Sequence, residues 1–242
     1  MFKIFIMACC LLFPLTVAAG ESIELPVVKA GDSWVYKTTS EKGQNGWAEK
    51  HFESKVIHAG ATSILLAIRE NGSTQPPKEQ LVGSDWSRFR NVNGEEKVVN
   101  RPFVFPLKEG NTWETDFTED HPNKGHKTEK LHSDYRVIGW EEVDVPAGHF
   151  RAVKIEAEGY WKAVLEPSVN VTSSTQANQS GSTVVMQSQK VTQRSATGRI
   201  YKAIWYVPQV KRYVKSIEEY YNAGGIRNER YTDELETYKV SQ

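Results

Sequence analysis

Cysteine is nearly absent from this chain of 242 residues, since the only two, Cys9 and Cys10, lie in an apolar run near the N-terminus. A single lysine precedes that run and small residues follow it, a pattern typical of a secretory signal peptide over residues 1–19. Cleavage after Ala19 or after Gly20 fits equally well. The mature chain would carry no thiol, which excludes disulfides and thiolate metal ligands and leaves the hydrophobic core to hold the fold.

An excess of charge of either sign is also lacking, because 30 Lys and Arg balance 30 Asp and Glu. A neutral chain with interleaved charges offers no electrostatic footprint for nucleic acid. No second apolar run of comparable length follows residue 20, so we predict no membrane span. Together with the signal-like start, this predicts a periplasmic or secreted protein with a single domain over residues 20–242.

Sustained helical periodicity is missing as well, whereas turn signals recur between β-branched and aromatic runs. The segment from Phe150 to Trp161 alternates apolar and charged residues, which predicts a strand with one wet face. Before it, Pro146 and Gly148 suit a tight hairpin turn, because proline presets φ and glycine tolerates positive φ. The chain is therefore predicted to be all-β and built from antiparallel hairpins.

A six-residue phrase, K-x-G-(D/N)-(S/T)-W, occurs twice, once from Lys29 and again from Lys108. In each copy a glycine (Gly31 or Gly110) suits a tight turn, and a tryptophan (Trp34 or Trp113) opens an extended segment. Each copy is predicted to begin a strand-and-hairpin unit, over about 20–101 and 102–242. The pattern leaves a curved sheet, a sandwich and a half-barrel open.

Near the C-terminus, further strands are predicted from Ile200 to Val207, Val210 to Tyr221 and Arg227 to Val240. Pro208 divides the first two, because proline cannot donate to a central ladder. A segment rich in Ser, Thr, Gln and Asn, residues 167–197, is an insertion. It is predicted to be an exposed hairpin turning near Asn178–Gly181 or, slightly favoured, a low-complexity loop.

The possible nucleophile and the possible metal ligands in the sequence lack the further residues that a catalytic or metal site requires. Gly31-Asp32-Ser33 resembles the nucleophile motif of some serine esterases, but no D-x-x-H occurs and no histidine follows His149. Four possible metal ligands lie within one stretch: Asp120, His121, His126 and His132. Their spacing fits no metal-site pattern. We therefore predict no catalytic residue, no metal site and no cofactor.

Paired carboxylates and aromatic residues are the remaining candidates. Neighbours such as Glu218 and Glu219 point to opposite faces of a strand, so we expect solvated positions and no acid–base pair. Four tryptophans are expected in the core: Trp34, Trp113, Trp161 and Trp205. Four tyrosines are predicted to be more exposed and to form a face for a ligand or partner: Tyr206, Tyr213, Tyr220 and Tyr221.

Four ordered phrases resemble a family of secreted bacterial β-sheet proteins related to TapB, largely domains of unknown function. They run from Gly31 to Tyr36, Pro106 to Trp113, Val145 to Ile155 and Trp205 to Lys215. The chain departs from the family pattern at 211–213, where Lys-Arg-Tyr replaces the usual glycine and aliphatic residue. The resemblance implies an antiparallel β protein of the bacterial envelope, with no catalytic residue to carry over; the name-giving member is similar to accessory proteins of type IV pili.

These observations predict a non-catalytic, exported protein of the cell envelope. We expect it to bind a partner protein of the envelope or a lipid-like, hydrophobic ligand through an aromatic-lined face of the sheet. A hydrolase acting on envelope polymers and a carbohydrate-binding protein are the alternatives, because distant carboxylates can converge in space and aromatic faces suit sugar rings.

Overall fold

The computed structural model describes residues 21–43, 46–177 and 183–242, which form fourteen antiparallel strands. The first seven are β1 (Ser33–Glu41), β2 (Trp47–Ala59), β3 (Ser63–Glu70), β4 (Lys78–Gly83), β5 (Arg88–Val92), β6 (Glu95–Asn100) and β7 (Thr112–Asn123). The others are β8 (His126–Val145), β9 (Gly148–Leu165), β10 (Ser168–Ala177), β11 (Thr183–Thr192), β12 (Ser195–Val207), β13 (Arg212–Tyr221) and β14 (Arg227–Lys239). The all-β prediction is confirmed. The signal-like segment lies outside the described residues.

Twelve strands make one sheet in the order β6-β5-β4-β3-β2-β1-β14-β13-β12-β9-β8-β7. Consecutive hairpins build most of it, and the pairing of β1 with β14 joins the two ends of the chain in the middle of the sheet. The sheet curls until its edge strands approach each other. Side chains link those edges: Asn93 accepts from the backbone N–H of Asp120 at 2.8 Å, and Arg90 pairs with Glu119.

The repeated phrase is one structural unit used twice. In the first copy Gly31 donates to the carbonyl of Val56, and Val56 donates back to the carbonyl of Asp32. The second copy repeats this with Gly110, Val137 and Asn111. Both glycines have positive φ, +94° and +85°. Each turn therefore fixes the start of a strand, β1 or β7, against the strand that follows it.

Strand boundaries near the C-terminus match the alternation in the sequence. Pro208 opens a short 3₁₀ turn, Pro208–Val210, between β12 and β13. Pro146 and Ala147 form the tip of the β8–β9 hairpin, where Val145 pairs with Gly148. The insertion is a hairpin in the structure, because β10 and β11 pair with each other in a separate two-stranded sheet. Its predicted turn, 178–181, lies outside the described residues.

The core occupies the inside of the curved sheet. Trp34 is fully buried and donates its indole N–H to the carbonyl of Val210 at 2.8 Å. Phe103, in the segment between β6 and β7, packs edge-on against Tyr206. Trp205 is also buried, as predicted. Trp113 and Trp161 are only partly buried: Trp113 packs against the core, whereas Trp161 does not belong to it, so the expectation of a core position is wrong for Trp161. Each donates its indole N–H to a backbone carbonyl.

Candidate binding site

A cavity of about 470 Å³ lies inside the sheet, next to the core. We call it the interior cavity. Seven strands each supply two lining residues separated by one position, as expected where alternate side chains of a strand face inward. These pairs are Tyr36 and Thr38, Phe52 and Ser54, Leu66 and Ile68, Gln80 and Val82, Lys202 and Ile204, Ser216 and Glu218, and Tyr231 and Asp233. Arg88 and Arg212 line it as well.

Lys202 and Glu218 form an ion pair inside the cavity, with the ammonium nitrogen 2.9 Å from a carboxylate oxygen. Tyr220 donates its hydroxyl to the same carboxylate at 2.6 Å. Burial favours the neutral form of Glu218, but Lys202 and Tyr220 outweigh it and lower the pKa of the carboxyl. Burial also disfavours the charged form of Lys202, but the attraction to the Glu218 carboxylate outweighs this effect and raises the pKa of the ammonium. Both groups are therefore charged at neutral pH.

Asp233 is held by hydroxyl groups. Thr38 donates to one of its oxygens at 2.7 Å, and Tyr213 and Ser216 donate to the other at 3.2 Å. Burial, together with the charge of Asp233, raises the pKa of Tyr213, which keeps this phenol protonated and able to donate. Side chains of β1 and β13 thus donate to a single carboxylate on β14.

Arg212 lies among aromatic rings. Its guanidinium carbon is 4.8–5.3 Å from the ring centroids of Trp34, Tyr36, Trp86 and Tyr213. Cation–π attraction to four rings holds the group in place. Its Nε and Nη1 atoms are buried without a hydrogen-bond partner among the residues that the structure describes. The guanidinium is therefore held by ring faces and not by hydrogen bonds within the described part of the chain.

The four predicted tyrosines do not form one face. Tyr206 is buried in the core with 1% of its surface exposed, so its predicted exposure is wrong. Tyr213 and Tyr220 bond to Asp233 and Glu218 at the interior cavity. Tyr221 lies on the opposite face of β13 from Tyr220 and bonds to Glu219 at 2.6 Å. The bulge between β12 and β13 and the strand alternation separate residues that are close in sequence.

The expectation of solvated carboxylates at 218 and 219 is also wrong. The two residues do point to opposite faces, but neither is free in water. Glu218 lines the interior cavity, and Glu219 is 9% exposed and pairs with Arg227 at 2.9 Å.

Asp32 of the esterase-like triplet has a structural role. It is 2% exposed and accepts the backbone N–H of Lys29 at 3.0 Å and of Ser241 at 2.7 Å. The ammonium of Lys211 lies 3.2 Å from it. Burial favours the neutral acid, but the bonds from Ser241 and Lys29 outweigh that effect and lower the pKa of Asp32. This carboxylate ties the first turn to the C-terminal segment.

The histidine-rich stretch forms β7, β8 and their connection. His132 bonds to Asp116 at 3.1 Å and to Asp134 at 3.0 Å through its two ring nitrogens. Ligand atoms of Glu114, His132 and Asp134 lie within 4.8 Å of one another. Both imidazole nitrogens are thus already paired with carboxylates. His126 instead bonds to Glu129 at 2.6 Å, so the histidines do not converge on one point.

Sequence reasoning did not find Lys202, Arg212 and Asp233. Each is a charged residue within a predicted strand or at its start, and such residues usually lie on the wet face. The available signal was the alternation of inward-facing and outward-facing side chains along a strand. Lys202 has the same parity as the apolar Ile200 and Ile204, and this places a charge on the inward face.

No protein-family model and no curated protein matches this chain. Two crystal structures are similar to it. One is a candidate lipoprotein from Parabacteroides distasonis, with a TM-score of 0.45 and 15% identity over 90% of this chain and 100% of the other. The second is a candidate exported protein with a YmcC-like fold from Bacteroides fragilis, with a TM-score of 0.41 and 14% identity over 90% and 99%. Similarity at this level says nothing about function.

No helix in the described ranges is long and apolar enough to cross a membrane.

Proposed function

We propose that this chain is an exported, non-catalytic protein that binds a small amphipathic ligand in the interior cavity. The signal-like composition of residues 1–20 supports export. The resemblance of four phrases to TapB-like proteins supports a place in the bacterial envelope. Between a partner protein and a hydrophobic ligand, the cavity favours the ligand, because it is concave and lies within the sheet.

The interior cavity is the observation that carries the proposal. Its volume of about 470 Å³ falls in the size range of ligand sites, and it is concave and lined by side chains from many strands. Its walls differ in character. Phe52, Leu66 and Ile68 are apolar and come from the neighbouring strands β2 and β3, while Arg212 and Asp233 are charged and come from β13 and β14. An amphipathic molecule matches that division.

Binding of the neutral, apolar dye N-phenyl-naphthylamine tests this proposal. We expect saturable fluorescence enhancement with the wild-type chain. Gln80→Trp places an indole in the cavity and should weaken binding by at least about tenfold, which corresponds to about 1.4 kcal/mol. Glu79→Trp is the matched control, because Glu79 is the exposed neighbour on the opposite face of β4. Equal effects of the two substitutions, or no saturable binding, would contradict the proposal.

A hydrolase is the second candidate, because Glu218 and Asp233 line the same cavity. General acid catalysis by a carboxyl group requires a raised pKa. Lys202 and Tyr220 instead lower the pKa of Glu218 against the effect of burial, and Asp233 accepts three hydroxyl donors. This arrangement favours fixed charges. Turnover of ester or glycoside substrates that is lost in Glu218→Gln would reverse the preference.

A further inference from the structure

We infer that the ligand of the interior cavity carries an acidic group, a carboxylate or a phosphate, and that Arg212 binds it. This inference rests on the proposed function and adds the chemical class of the ligand. It follows from the charges of the cavity, from the fixed position of Arg212 and from the apolar wall of the same cavity.

The charges that line the cavity do not balance. Lys202, Arg88 and Arg212 are cations, and Glu218 and Asp233 are anions. Glu218 is neutralised by Lys202, and Asp233 is satisfied by hydroxyl donors. Within the described part of the chain, neither arginine forms an ion pair. Because Arg88 is exposed to solvent, Arg212 is the partly buried cation of the cavity that has no anion paired with it among the described residues, which favours an anionic ligand.

Arg212 is prepared for such a ligand. The four surrounding rings fix the guanidinium, so little side-chain entropy remains to be lost on binding. Its buried Nε and Nη1 have no acceptor among the described residues. A partly buried guanidinium that has no anion beside it is costly, and an acidic ligand in the cavity compensates its charge. Arginine also suits carboxylate and phosphate oxygens better than lysine does, because its donors form a planar fork.

The apolar residues that line the cavity indicate that the remainder of the ligand is apolar. Leu66 and Val82 are buried residues that line the cavity, and Phe52 and Ile68 are partly buried there. An acidic head on a short hydrocarbon chain satisfies both walls, whereas a bare anion leaves the apolar wall unoccupied.

The test compares head groups on one chain length: decanoate, decyl phosphate, decanol and decyltrimethylammonium compete with bound N-phenyl-naphthylamine. The wild-type protein should bind decanoate or decyl phosphate about tenfold or more tightly than decanol, since a charge-assisted hydrogen bond contributes about that much. Decyltrimethylammonium should compete least. Arg212→Met keeps the apolar stem and should abolish the preference for the acidic head group.

Arg199→Met is the matched control, because Arg199 also stacks on a tyrosine, 4.2 Å from the ring of Tyr221, on the outer side of the sheet. It should keep the preference. Arg212→Lys, which retains the charge, should keep part of it and guards against an Arg212→Met variant that fails to fold.

The outcomes separate the two proposals. Equal competition by decanoate and decanol in the wild type would overturn the acidic ligand and leave the cavity as an apolar site. A preference that persists in Arg212→Met would overturn the role of Arg212. Absence of dye binding would overturn the proposed function itself. Inorganic phosphate and acetate form the last arm: thermal stabilisation by either, dependent on Arg212 and matching that by decanoate, would identify a free anion and overturn the amphipathic ligand.

Discussion

At the scale of single residues, the interior cavity is lined by partly buried polar groups that hydrogen-bond to one another. Lys202 and Glu218 share an ion pair, and Tyr220 bonds to the same carboxylate. Removing one member of a partly buried pair leaves the other without a partner, and this is more costly than removing both. Stability at these positions therefore depends on the pair and not on either residue alone.

Glu218→Gln should destabilise the protein by about 2 kcal/mol, because it leaves the charge of Lys202 unpaired in a partly buried site. The double variant Lys202→Met with Glu218→Gln should recover part of that loss. Glu70→Gln is the control: Glu70 pairs with Lys50 on the exposed surface, and its loss should cost less than about 1 kcal/mol. Urea unfolding measures all three, and equal costs for Glu218→Gln and Glu70→Gln would show that the interior pair is solvated.

Asp32 predicts a dependence of stability on pH. Its pKa is lower in the folded protein than the ordinary value of 3.8. A group of this kind stabilises the fold fully above its unfolded pKa, and that stabilisation is lost as pH falls through the folded pKa. The free energy of unfolding should therefore decrease as pH falls below about 4.

Asp32→Asn should flatten that decrease and lower stability at neutral pH, because an amide cannot accept from Lys29, Ser241 and Lys211 together. Urea titrations at several pH values measure both effects. An unchanged acid slope in Asp32→Asn would show that other carboxylates cause it.

At the scale of elements, the two K-x-G-(D/N)-(S/T)-W turns are equivalent in hydrogen bonding and differ in the surroundings of the tryptophan that ends each phrase. Trp34 enters the core, donating to Val210, whereas Trp113 stays partly exposed and donates to Arg101. The difference is due to position in the sheet, since β1 is central and β7 is an edge strand. One local motif thus serves both a central and an edge strand.

Gly31→Ala and Gly110→Ala should each destabilise the protein by about 1–2 kcal/mol, the cost of a left-handed conformation for a residue with a Cβ. No atom lies within 4 Å of the added methyl at either position, so no clash adds to that cost. Chemical unfolding of the two variants should give similar values. A cost several times larger at one position would show that the turns are not equivalent.

At the scale of the whole molecule, local patterns predicted the strands, but not how they close. Alternation from Phe150 to Trp161 and the Pro146–Gly148 turn gave β9 and its hairpin, because both signals are local. The pairing of β1 with β14 has no such signal: it joins segments about 200 residues apart, and the choice of a single curved sheet over a sandwich depends on it. Arg212 was not found from the sequence, because only the folded sheet surrounds it with four rings.

Leucine methyl groups provide the most direct test of ligand binding inside the sheet. Leu66 lines the interior cavity. Its neighbour Leu65 and Leu81, which pairs with Leu65 on the adjacent strand, point to the outer face. With methyl-labelled protein and decanoate, we predict intermolecular nuclear Overhauser effects to Leu66 and none to Leu65 or Leu81. Contacts to the outer leucines with none to Leu66 would contradict the account.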